Sequence, residues 1–187
     1  MSGDNEAAAH RQQDLYFNEL FQLKMQCEYM RRYRNILARR VRWLEIVRAV
    51  AASGAIATWA VFQKFPLIWA GIIAASQLLD ALKNVIPFTS RNQAASGLAE
   101  SLDALVIDAL YEWEGVYGGQ FTIEEITNRT RKLRQLRHEA NVKHFPTEDL
   151  PLRDDLQRLA EADAVAYFEN TFGPYETAVG PNEQSVA

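Results

Sequence analysis

Residues 49–79 read AVAASGAIATWAVF-QKF-PLIWAGIIAASQLL, and the whole chain is organised around them. Two uncharged runs, Ala49 to Phe62 and Pro66 to Leu79, flank a short polar break. Proline suits the first turn of a helix, where its missing N–H would have no partner anyway, so the stretch predicts a tight helical hairpin. Each run has fourteen residues. At helical rise that is about 21 Å, short of a hydrocarbon layer of about 30 Å. On length alone the hairpin is the core of a soluble bundle.

Three features favour a membrane. Aromatic residues stand at two depths, with Trp59, Phe62, Phe65 and Trp69 near the apex and Trp43 and Phe88 at the open end. Bilayer interfaces hold such belts. Arg39, Arg40, Arg42, Arg48, Lys83 and Arg91 surround the open end while the apex has only Lys64, the bias expected when both termini are cytoplasmic. Small residues such as Ala51, Ala52, Gly54, Gly71, Ala74 and Ala75 let helix backbones approach closely in lipid. The expectation is therefore an all-α chain with a two-pass transmembrane hairpin over 48–86. A long N-terminal cytosolic helix (1–47) precedes it. A cytosolic helical bundle (87–172) and a disordered tail (173–187) follow.

Four charges near the open end are regularly placed. Counted from a turn centred between Lys64 and Phe65, Arg48 and Asp80 fall at one level, and Glu45 and Lys83 one turn further out. Two opposite-charge pairs would neutralise groups that lipid penalises; the alternative is that all four snorkel to water. Ser76, Gln77, Asp80 and Asn84 share one face of the second apolar helix. They are either the lining of a pore in an oligomer or polar glue between helices.

Outward from the hairpin, residues 11–53 contain neither Gly nor Pro. Tyr16, Leu20, Leu23, Cys27, Met30, Leu37, Val41 and Leu44 recur at three- and four-residue steps, a stripe interrupted near Tyr33 and Arg34. The stripe fits docking within the chain's own bundle or an intermolecular coiled coil. Ser90 with Gln93 has the form of a capping box opening a third helix, which Gly118-Gly119 ends. Thr122-Ile123-Glu124-Glu125 opens a fourth to about Val142, and a fifth runs from about Leu152 to Phe172. Gly173 to Ala187 has little to bury.

The 187 residues carry a formal net charge of −4, which argues against coating duplex nucleic acid. Mean hydropathy is −0.24, so any membrane segment must be local. A single cysteine, Cys27, excludes an internal disulfide and fits a reducing compartment. The polar N-terminal sequence MSGDNEAAAH lacks a secretory signal. No tight His/Cys spacing, phosphate-cradling glycine loop or nucleophile elbow occurs. No enzyme, metal or cofactor is expected. Glu112 and Glu114 read as solvated surface. Arg129, Arg131, Lys132, Arg134, Arg137 and His138 form a basic cluster, preceded by Tyr111, Trp113 and Tyr117. Of these, Arg129, Arg131, Arg134 and Arg137 are candidates to bind a phosphate-bearing ligand. The bland reading is a solvated face balancing Glu124, Glu125 and Glu139.

This order of elements resembles the SLATT family of bacterial two-pass membrane effectors. An Arg- and Tyr-rich helix (Tyr29 to Trp43) precedes two short apolar helices and then long cytosolic ones. The tract from Asn84-Val85-Ile86-Pro87-Phe88 through Tyr111-Glu112-Trp113-Glu114 to His144-Phe145-Pro146 looks like that group too, so the resemblance spans residues 28 to 146. It implies a homo-oligomeric pore or ion channel of antiphage defence in the bacterial inner membrane, gated by a nucleotide signal, its nucleotidyltransferase or another partner protein. A two-helix protomer cannot enclose a water path alone, and a tetramer is the expected assembly. The rival expectation is a soluble helical adaptor whose hairpin is its core.

Overall fold

A computed structural model describes residues 2–57, 88–146 and 152–173, together with Gly71, Ala74 and Gln77. Four long helices account for nearly all of them: α1 (Ser2–Ala57), α2 (Phe88–Tyr117), α3 (Ile123–His144) and α4 (Asp154–Phe172). There is no strand among the described residues, and the chain is all-α.

At 56 residues, α1 is about 84 Å long at standard rise. It passes the expected boundary at residues 47 and 48 without a break, because nothing between Arg11 and Ser53 interrupts helical hydrogen bonding. α2, α3 and α4 all pack against its N-terminal two-thirds, and α3 also packs on α2. The directions follow from pairs across the interfaces. Gln13 Nε2 donates to the Val116 carbonyl and Tyr16 Oη to that of Ala109, while Cys27 lies against Ala99, so α2 runs antiparallel to α1. Gln12 meets Thr127 and Gln26 meets Asn141, so α3 runs parallel to α1.

The core is the α1 stripe closed on three sides. Tyr16, Leu20, Leu23, Cys27, Met30 and Leu37 are buried with Leu98, Leu102 and Val116 of α2, Ile126 and Leu133 of α3, and Leu156 and Phe168 of α4. Each large side chain removed from water contributes about 1.5–3 kcal/mol. The stripe therefore docks within the chain's own bundle. It is continuous across its expected interruption, where Tyr33 is buried with its ring stacked on Tyr29 at 6.3 Å, but it ends at Leu37: Val41 is half-buried and Leu44 exposed.

Boundary signals acted largely as their chemistry dictates. Thr122 caps α3 with the full reciprocal box: its Oγ1 accepts from the Glu125 N–H, and the Glu125 carboxylate accepts from the Thr122 N–H. Gly119 sits at φ 68, the left-handed conformation that closes a helix and that a side chain resists. Ser90 differs from expectation. α2 begins at Phe88, directly after Pro87, so Ser90 lies inside the first turn and is not its N-cap.

Candidate functional site

α1 changes character at Ala38. Up to Leu37 its stripe is sealed by the other helices; from Ala38 to Val47 every residue but the half-buried Val41 is exposed. The exposed set includes large apolar side chains, with Trp43 at 68%, Ile46 at 50% and Leu44 at 39%. Burial would be worth more than a kilocalorie for each, so this is apolar surface that the bundle helices leave uncovered. α2 starts at the same end, because it is antiparallel to α1. The uncovered stretch of α1 and the first residues of α2 therefore lie at one end of the bundle.

Of the expected hairpin residues, Ser76, Asp80, Lys83 and Asn84 lie outside the described residues. Gln77 is helical and exposed, as are Gly71 and Ala74. Glu45 is exposed on α1, and Arg48 is helical. None of the described helices is long and apolar enough to cross a membrane.

The basic cluster of α3 is built differently from a free anion site. Arg129 pairs with Glu112 at 2.9 Å and lies 3.9 Å over the Phe121 ring. Arg134 Nε donates to Glu19 Oε1 at 2.8 Å, and Arg137 Nη2 stands 3.4 Å from Oε2 of the same carboxylate. Glu19 is itself buried, and its Oε2 has no hydrogen-bond partner among the described residues. Three of the four candidate arginines therefore hold α3 to α1 and α2. Arg131, Lys132 and His138 are exposed. Of the aromatic residues ahead of them, Trp113 is core, stacked on Tyr16 at 6.2 Å, whereas Tyr111 and Tyr117 are exposed. Glu112 is no merely solvated acid, since it also accepts from Tyr16 Oη at 3.3 Å. Burial, with Glu112 beside it, holds the Tyr16 phenol well above its ordinary range.

A second polar constellation was not anticipated. Arg31 Nη2 reaches Asp103 at 2.6 Å, and Arg32 Nε reaches Asp163 at 2.7 Å. With Glu28, Arg34 and Glu100 they line an open cleft of about 560 Å³ between α1, α2 and α4. Its signs nearly balance, so it selects strongly for neither anions nor cations. Cys27 lies beneath, its Sγ 3.8 Å from Asp103 Oδ1, and burial pushes its thiol up to about 11. Such a thiol is a poor nucleophile at neutral pH. His144, the last residue of α3, packs on α2. Its Nε2 is 3.1 Å from Ser101 Oγ, and its ring lies so close over Gly97 that a Cβ there would come within 2.6 Å. No group of three or more His, Cys, Asp or Glu among the described residues could hold a metal ion.

The signal for Glu19 was present in the sequence, as it stands three residues after Tyr16 and four before Leu23, on the buried side of the stripe. Asp103 and Asp163 gave none, since their partners lie 72 and 131 residues away. Comparisons with protein-family models, with curated proteins and with solved structures give no match.

Proposed function

We propose that this chain is a homo-oligomeric membrane effector whose segment 48–86 forms a two-pass hairpin, assembling into a pore or ion channel beneath a cytosolic helical bundle. The observation that carries this reading is the topology at the bundle's end. α1 leaves with exposed Trp43, Leu44, Ile46 and Val47, and α2 returns beside it. A membrane excursion between them must turn back, which supports two crossings with both termini on the cytoplasmic side. The resemblance to SLATT effectors extends the proposal to antiphage defence at the bacterial inner membrane, with gating by a nucleotide signal or a partner protein. Arg131, exposed on α3, is the candidate whose loss would test such a ligand without cutting an ion pair.

The experiment is extraction followed by reconstitution. Membranes of producing cells should release the protein only with detergent, as a multimer, and the purified multimer should pass ions across liposomes. Release by salt or alkaline carbonate alone would overturn the membrane reading; insertion without flux would leave an anchor and overturn the pore. A second reading, a helical interaction or adaptor protein, draws on α2, where Ile107, Tyr111 and Tyr117 are 63%, 80% and 76% exposed. Such a face suits partner docking, and flux from liposomes separates the two.

A further inference from the structure

Two sets of arginines on α1 differ in what meets them. Arg31 and Arg32 are engaged by Asp103 and Asp163 inside the bundle. Arg39, Arg40 and Arg42 are exposed, and none has an ion pair among the described residues. At 100° per residue these three fall with Trp43, Ile46 and Val47 within one arc of about 160°. That arc lies opposite the stripe line of Met30 and Leu37, with Glu45 on the other side. Over about two turns, roughly 12 Å of axis, a single face passes from three unpaired guanidinium groups to an indole and two aliphatic side chains.

That step has the dimensions and order of a bilayer boundary: phosphates outermost, an aromatic at headgroup depth, hydrocarbon below. Guanidinium forks match phosphate oxygens two at a time. We propose that residues 39–47 of α1 form a seat for anionic phospholipid, with Arg39, Arg40 and Arg42 on the headgroup phosphates and Trp43, Ile46 and Val47 against the upper acyl chains. The seat rests on the membrane reading above and adds to it a lipid class and a depth: the bilayer surface meets α1 at residues 42–43, about one and a half turns beyond the last buried position, Leu37. The bundle is therefore held close to the headgroups, with no long stalk between.

The test uses the full-length protein in nanodiscs of equimolar phosphatidylglycerol and phosphatidylcholine, followed by analysis of the lipids it retains on mild solubilisation. An arginine beside an anionic surface favours it by about fivefold. Wild-type protein should retain phosphatidylglycerol enriched about fivefold. The R39Q/R40Q/R42Q variant should fall to near parity, and R11Q, at the far end of α1, should match wild type. Equal enrichment in the triple variant, or none in wild type, overturns the seat and leaves the membrane reading standing. Failure of the wild-type chain to enter nanodiscs overturns both. If the triple variant inserts poorly, replacing the three arginines with lysine provides the second arm. Lysine keeps the charge but not the fork, so the enrichment should be kept only in part, and enrichment equal to that of wild type overturns the two-at-a-time phosphate contacts.

Discussion

Two stretches of α1, residues 16–37 and 38–49, share one uninterrupted helix and a similar supply of arginine and apolar side chains, yet their surroundings are opposite. In the first, apolar residues are sealed by three other helices and Arg31 and Arg32 are met by carboxylates. In the second, large apolar residues are exposed, and Arg39, Arg40 and Arg42 have no ion pair among the described residues. Local helix propensity cannot produce that difference, since both stretches are helical. It arises from what the rest of the chain supplies: the other three helices cover the first stretch and leave the second exposed. An amphipathic pattern therefore gives a helix its faces, while the partner that covers each face is set elsewhere.

The largest effects should separate the two stretches directly. Leu20→Ala or Leu23→Ala removes a fully buried side chain and should cost about 2–5 kcal/mol. Trp43→Ala and Ile46→Ala, both exposed, should change bundle stability by less than about 0.5 kcal/mol. Denaturant unfolding followed by far-ultraviolet circular dichroism, with all variants in one detergent, reads both. A cost of 2 kcal/mol at Trp43 would show that the outer stretch is packed against this chain, and the comparison would collapse.

Much of the bundle was legible in one dimension because it depends on neighbours in sequence. The three- and four-residue steps from Tyr16 to Leu37, the Thr122–Glu125 box and the stop at Gly118-Gly119 are all local events, and the structure has them. Tyr33 marks the expected interruption of the stripe, yet its ring is buried and packs like any aromatic. The basic face of α3 was seen as charge but not as fastening. The pairing of Arg134 with Glu19 and of Arg129 with Glu112 depends on helix packing that no spacing rule contains. The expected pore lining at Ser76, Asp80 and Asn84 lies outside the described residues.

A smaller effect tests whether that fastening defines the inner stretch. Arg134→Ala with Arg137→Ala leaves the buried Glu19 carboxylate without its two cations. A fully buried pair cut this way costs about 3–5 kcal/mol; here the Arg134 guanidinium faces water, and about 2–3 kcal/mol is expected after screening. Adding Glu19→Gln should recover most of it, because a neutral amide is far cheaper to bury than a lone charge. If the double arginine variant is as stable as wild type, α3 is held by its apolar contacts alone, and its arginines are available to a ligand.

The smallest effect concerns His144, at the end of α3. Burial lowers its affinity for a proton, the charge of Lys143 adds to this, and Glu100 opposes both, leaving the imidazole below its ordinary value of 6.5. A base whose folded-state value is depressed binds fewer protons folded than unfolded. Stability is then fully present above about pH 6.5. It falls as pH drops through 6.5, and the loss is complete below the lowered folded value. The contact with Ser101 limits the size of the effect. Ser101 Oγ is 2.8 Å from the Gly97 carbonyl and donates its hydrogen there, so the Nε2 contact requires Nε2–H as the donor. Protonation at Nδ1 leaves that bond in place and adds only a poorly solvated charge. Melting temperatures between pH 7.5 and 5.5 should therefore fall slightly more for wild type than for His144→Gln, which cannot titrate. Identical slopes would mean that the imidazole is solvated as well as an exposed histidine. An opposite slope, with wild type gaining on acidification, would make Glu100 the stronger neighbour and reverse the electrostatic reading of this end of the bundle.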